Sequence, residues 1–156
     1  MKSRLEFQME PKEYLTHCLT QDRNHRYKQG ISNGYYAGIS DFLLRHGVWY
    51  EPVPFPAGIR KGRKKYCFRN SAVLAIEHSQ IFRYVEGYAL YPGTEPVHHA
   101  WNLDRDGNLF DRTWKNGGTA YLGVVFSTTR AITADGWCYG VFNNPESVLR
   151  EPWTGE

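Results

Sequence analysis

The sequence predicts an α+β fold: an antiparallel sheet of about four to five strands packed against a helix that carries Cys67, with further helices at the N-terminus. Three stretches support it. In 82–91 (FRYVEGYALY) the residues alternate, with Tyr84, Glu86 and Tyr88 on one face and Val85, Gly87 and Ala89 on the other. In 97–104 the same alternation sets His99 and Trp101 against His98, Ala100 and Asn102. In 66–80, Phe68, Ala72, Val73, Ala75 and Ile76 form an apolar stripe among good helix formers. An aromatic share of 15%, including eleven Tyr and five Trp, favours sheet-rich structure.

The 156 residues suit one domain, and a domain of that size buries roughly two-thirds of its unfolded surface. Within it, 1–58 is expected to hold the N-terminal helices and a Pro-rich extended segment, 59–142 the core, and 143–156 a tail of little consequence. Apolar residues at 41% and charged residues at 22% are globular values. Cys18, Cys67 and Cys138 are odd in number and form no CxxC pair, so a disulfide framework is not expected and a reducing compartment is. The N-terminus has no apolar signal core and no run approaches the ~18 apolar residues of a membrane span, which makes a cytoplasmic protein without a membrane partner the expectation. A net charge of +3 is too small to imply nucleic acid by itself.

Taken in order, Pro11 and Glu13 suit the first turn of a helix expected to end near Thr20. The polar stretch 21–30 reads as a loop or a frayed helix end. Ser32 and Asn33 are candidate caps for a second helix carrying Tyr35, Tyr36, Ile39, Phe42 and Leu43, stopped at Gly47. A brief strand at 48–50 precedes Pro52, Pro54 and Pro56, which force extended, non-sheet backbone. Beyond the two alternating strands, 104–108 reads as a hairpin turn, 109–114 as a strand with Leu109, Asp111 and Thr113 on one side, and 119–126 as a buried strand. Ser127 is expected to cap a short helix over 128–134. The stretch 137–142 reads as a last strand or an aromatic plug, and 145–149 as one more helical turn.

Residues 60–65 (RKGRKK) place five basic residues in six positions directly before Cys67. They read either as a solvated loop or as a cationic rim, with Arg63 and Lys65 as candidate substrate contacts, that attracts an anionic substrate or favours the thiolate. At the first turn of its helix Cys67 meets free amide N–H groups and the positive end of the helix dipole, both of which stabilise a thiolate. An imidazole can hold the thiol proton and return it to a leaving amine. Alternation lets only one of His98 and His99 face such a site, and Asp111, one hairpin away, can accept the other ring N–H. No ligand pair has metal-site spacing, so neither a metal nor a cofactor is expected.

Cys67 on a helix, the R-Y-V-E-G-Y-A strand (83–89), His99-Ala100-Trp101, and Phe110-Asp111-Arg112-Thr113-Trp114 follow one another in an order that resembles the core of the transglutaminase-like superfamily of papain-like cysteine enzymes. The resemblance covers about 50 residues, one third of the chain. It implies Cys67 as nucleophile, His99 as general base and acid, and Asp111 as the group orienting the imidazole. It further implies thioester chemistry on amides, ending in hydrolysis, deamidation or acyl transfer, with a peptide, a protein side-chain amide or a small amide as substrate. The small size resembles bacterial or phage members. No Gln or Trp upstream of Cys67 matches the second oxyanion donor of many relatives, which leaves the Cys67 N–H as the candidate. Trp101 and Glu86 stand beside these residues as candidate substrate contacts. A reading from another class is a catalytically silent binding module, in which 60–65 holds an acidic partner such as nucleic acid or an anionic protein.

Overall fold

The computed structural model describes residues 9–32, 34–114, 116–133, 140–143 and 148–155. Its elements are α1 (Pro11–Gln29), α2 (Ile39–His46), β1 (Val48–Tyr50), α3 (Cys67–Glu77), β2 (Arg83–Leu90), β3 (Val97–Leu103), β4 (Leu109–Phe110), β5 (Ala120–Phe126) and α4 (Thr128–Thr133). Single-turn 3-10 helices follow at Val141–Asn143 and Val148–Arg150. The five strands form one antiparallel sheet in the order β1-β5-β2-β3-β4, so the α+β expectation and the strand count hold.

The period of two seen in the sequence divides the core. Tyr84, Leu90, Ala100, Leu122, Val124 and Phe126 face a cluster containing Leu15 and Leu19 of α1, Phe42 and Leu43 of α2, and Ala72 and Ala75 of α3. Val85, Ala89, Trp101, Leu103, Leu109 and Tyr121 form a second cluster on the opposite face. Gly123 makes room there: a Cβ on it would stand 2.5 Å from the Trp101 ring.

Several boundaries differ from expectation. Helix α1 runs on to Gln29, because no breaker precedes Gly30, which closes it at φ 66 with its N–H on the Arg26 and Tyr27 carbonyls. Its polar second half carries no apolar stripe and is held by charge. Arg26 pairs with Asp22, which also accepts the Ser40 hydroxyl at 2.7 Å. Helix α2 starts at Ile39 rather than after Ser32. Residues 34–38 are instead drawn to the C-terminal segment, where Tyr35 and Tyr36 give their amides to the Leu149 carbonyl, while Asp41 reaches back to the Ala37 N–H at 3.0 Å. The expected cap Asn33, Cys138 and the first half of the expected last strand lie outside the described residues, and its second half enters the 3-10 turn Val141–Asn143 instead of a strand.

The tail is a structural part of the domain. Trp153 donates its amide to the Tyr36 hydroxyl at 2.9 Å and sets its ring 5.6 Å from Phe42 and 5.4 Å from Phe126. Ser127 caps α4 as expected, accepting the Arg130 N–H at 3.1 Å. In α3 the buried stripe is Cys67, Asn70, Ser71, Ala72, Leu74 and Ala75, rotated from the expected one so that Ile76 is exposed. Asn70 turns inward because it has a partner, Thr113, whereas the Ser71 hydroxyl is buried without one among the described residues and only its backbone carbonyl accepts, from Asn102 at 2.8 Å.

Candidate active site

Strand β4 is two residues long, not six. The cause is Asp111, whose Oδ1 accepts the Thr113 and Trp114 amides, both at 2.9 Å, and so turns the chain out of the ladder. Only Asn102 and Leu103 of β3 are therefore paired on that side, with Phe110 and Leu109. The stretch of β3 around His99 is left open toward the first turn of α3. There Asn70 Nδ2 spans the gap, donating to Thr113 Oγ1 at 2.9 Å and to the Arg63 carbonyl at 2.8 Å.

This geometry brings three predicted residues together. His99 Nε2 lies 2.8 Å from Asp111 Oδ2, and both side chains are buried. Asp111 Oδ2 also accepts the Tyr121 hydroxyl at 2.7 Å, and that hydroxyl in turn accepts the Gly118 N–H. The third residue, Cys67, lies close enough to the His99 ring to help raise its pKa. It is 9% exposed and opens α3, where the N-cap Tyr66 offers no side-chain cap, so the first-turn amides keep their donors for another acceptor. Two residues before it Lys65 adopts φ 67, the one positive-φ residue other than glycine among those described.

The electrostatics follow from these contacts. Burial pulls the His99 pKa down and is the largest single influence, but hydrogen bonds and charge from Asp111 and Cys67 reverse it and raise the group to about 9. Burial likewise opposes ionisation of Asp111, yet His99, the Trp114 amide and the Tyr121 hydroxyl outweigh it and hold the carboxyl below its ordinary range. Tyr121, buried beside that carboxylate, is pushed strongly up and stays a donor. A face-to-face stack with Trp114, 3.8 Å between centroids, closes one side of the His99 ring.

The remaining candidates go elsewhere. Trp101 is 0% exposed in the second core cluster, so it packs beneath the site and cannot contact a substrate. Glu86 is also 0% exposed and lies on the opposite sheet face from His99. It accepts from Tyr84 Oη (2.6 Å), the Val141 N–H (2.6 Å) and the Phe142 N–H (3.0 Å), and lies 2.8 Å from His98 Nε2. Its partners make it a structural anchor, and they account for His98, whose ring also meets Phe68 at 4.8 Å. Arg63 and Lys65 stay on the exposed loop before Cys67, with the Arg63 guanidinium 4.8 Å above the Tyr66 ring. Trp114, Tyr121 and Asn70 complete the site without having been assigned to it from sequence, and Lys61 joins it from the basic run 60–65. For Trp114 a signal existed, since it ends the Phe110–Trp114 string, but its stacking depends on a turn that strand periodicity did not contain.

Among the described residues no group of three or more His, Cys, Asp or Glu side chains is placed to hold a metal ion, and no helix is long and apolar enough to cross a membrane. Set against protein-family models, curated proteins and solved structures, the chain matches none.

Proposed function

We propose that this protein is a cysteine-dependent amide hydrolase, deamidase or acyltransferase with a transglutaminase-like, papain-like core. The observation that carries the reading is the His99–Asp111 pair at 2.8 Å, with Cys67 at the head of a helix and near enough to the imidazole to raise its pKa. The order of Cys67, the 83–89 strand, His99-Ala100-Trp101 and Asp111 adds the family resemblance.

In this reaction Asp111 occupies Nε2, which leaves Nδ1 to take the Cys67 proton. The thiolate attacks the amide carbonyl carbon, and the negative oxygen of the tetrahedral intermediate turns to the first amides of α3. As the carbon–nitrogen bond breaks, the imidazolium gives its proton to the departing amine or ammonia, and the acyl group remains on sulfur as a thioester. Water or a second amine then loses a proton to His99 and attacks the thioester, returning the thiol. Water yields hydrolysis or deamidation; an amine yields acyl transfer.

The test is the pH dependence of Cys67 alkylation by iodoacetamide, followed by mass spectrometry, in the native protein and in His99→Ala. The expected result is a Cys67 that reacts well below pH 8 and loses that advantage without His99. A Cys67 that behaves as an ordinary thiol in both proteins would overturn the proposal.

A further inference from the structure

The basic run 60–65 is built into the site rather than strung past it. Lys61 Nζ donates to the carbonyls of Asp111 (2.5 Å) and Trp114 (3.1 Å) and lies 4.5 Å from the centre of the Phe55 ring. The Gly62 N–H donates to the Arg112 carbonyl at 2.9 Å, and the Arg63 carbonyl accepts from Asn70 at 2.8 Å. Gly62 sits so close to Asn70 that a Cβ there would stand 2.1 Å from Asn70 Cγ. Three consecutive residues are thus fastened to the Asp111 turn and to the first turn of α3, the two elements that position the triad. A loop serving only as solvated connection needs no such fastening.

The fastening has an electrostatic consequence. Arg60, Arg63, Lys64 and Lys65 are exposed on the segment that leads into α3 and Cys67, and among the described residues no carboxylate pairs with any of them. Elsewhere, Lys12 pairs with Glu51, Arg26 with Asp22 and Arg45 with Asp41. Uncompensated charge of one sign beside a cleft raises the local concentration of the opposite charge and can speed association by roughly 10- to 1,000-fold.

We propose that this rim is a docking surface for acidic peptide segments, which it holds while an amide within or beside the segment reaches Cys67. The inference rests on the catalytic reading above and names its substrate class: a glutamine or other amide flanked by aspartate or glutamate. A peptide of this kind supplies both the carboxylates the rim attracts and the acyl carbon the thiol attacks. A nucleic acid supplies only the charge.

The test uses Cys67→Ala protein, so that binding is read without turnover, and two fluorescein-labelled pentapeptides: one with a central glutamine between pairs of glutamates, the other all glutamine. The acidic peptide is expected to bind about tenfold more tightly at low salt, with the advantage falling to about twofold near 0.5 M salt, where the screening length is roughly 4 Å. The same collapse is expected at low salt when Arg60, Arg63, Lys64 and Lys65 are all replaced by Gln. Equal affinities for the two peptides, or a preference indifferent to salt, would overturn the proposal. So would a single-stranded oligonucleotide that binds more tightly than the acidic peptide. Iodoacetamide is uncharged, so alkylation of native Cys67 reads the catalytic reading separately. An activated Cys67 without the peptide preference sinks only the docking surface, whereas an unactivated one sinks the catalytic reading and the substrate role with it.

Discussion

The Trp114 indole lies on the His99 imidazole, 3.8 Å between centroids and 12° from parallel, on a ring already bonded to Asp111. The stack keeps water from the buried pair and, when the imidazole is protonated, sets a cation on an aromatic face. Stacking is worth about 0.5–1.5 kcal/mol beyond burial, and a desolvated cation–π contact about 2 kcal/mol. Trp114→Ala should therefore slow Cys67 alkylation at pH 7 by about tenfold. Trp114→Phe should retain part of the effect. An unchanged rate in Trp114→Ala would reduce the stack to packing.

Tyr121 joins the sheet to the Asp111 carboxylate, donating to Oδ2 at 2.7 Å while its oxygen accepts the Gly118 N–H. Tyr121→Phe removes both bonds at little change in volume and strands a backbone donor, at a cost of about 1–3 kcal/mol. Urea denaturation should show that loss. With one donor fewer, Asp111 should protonate at higher pH, so the acid limb of Cys67 reactivity should move upward.

Which parts were legible in the sequence follows from how far each contact reaches. Alternation in 82–91 and 97–104 is local, and it correctly separated His99 from His98 and placed Cys67's helix before the paired strands. The second half of α1 was hidden because its support is polar, from Asp22 to Arg26 and Ser40, and leaves no apolar period. Tyr121 reaches Asp111 only through the register of β5 on β2 and the turn after Phe110, and register is a long-range property that no local pattern encodes. Glu86 misled for a related reason: its backbone donors lie 55 and 56 residues away, at Val141 and Phe142. A buried carboxylate in a strand looks the same in sequence whether it meets a substrate or another part of the chain.

Glu86 supplies a stability test on that account. Its carboxylate gathers donors from β2, β3 and the Val141–Asn143 turn. Glu86→Ala leaves them buried and unpaired, with an expected loss of about 3–5 kcal/mol, a large part of the 5–15 kcal/mol that holds a typical domain folded. Glu86→Gln keeps an acceptor oxygen but turns an amide toward the other donors, so it should recover only part of the loss. Hydrogen exchange at the Val141 and Phe142 amides should accelerate in both variants; unchanged protection would mean that packing alone holds this segment.

The His99–Asp111 pair should also write itself into the pH dependence of stability. The His99 pKa is raised in the fold from its ordinary 6.5 to about 9, so its contribution is fully present below pH 6.5 and fades as pH rises toward 9. Asp111 is shifted the other way, from its ordinary 3.8; its contribution is present above about that pH and fades as the solution is acidified through the lower folded pKa. Urea midpoints measured from pH 6 to 9 should fall across this window in the native protein. In His99→Gln, which has no group titrating at that position, the alkaline decline should largely disappear. Cys67→Ala removes one of the two neighbours that raise His99, so there the decline should still begin near pH 6.5 but be smaller and end at lower pH. A native profile flat to pH 9 would show that His99 is not held protonated by its partners.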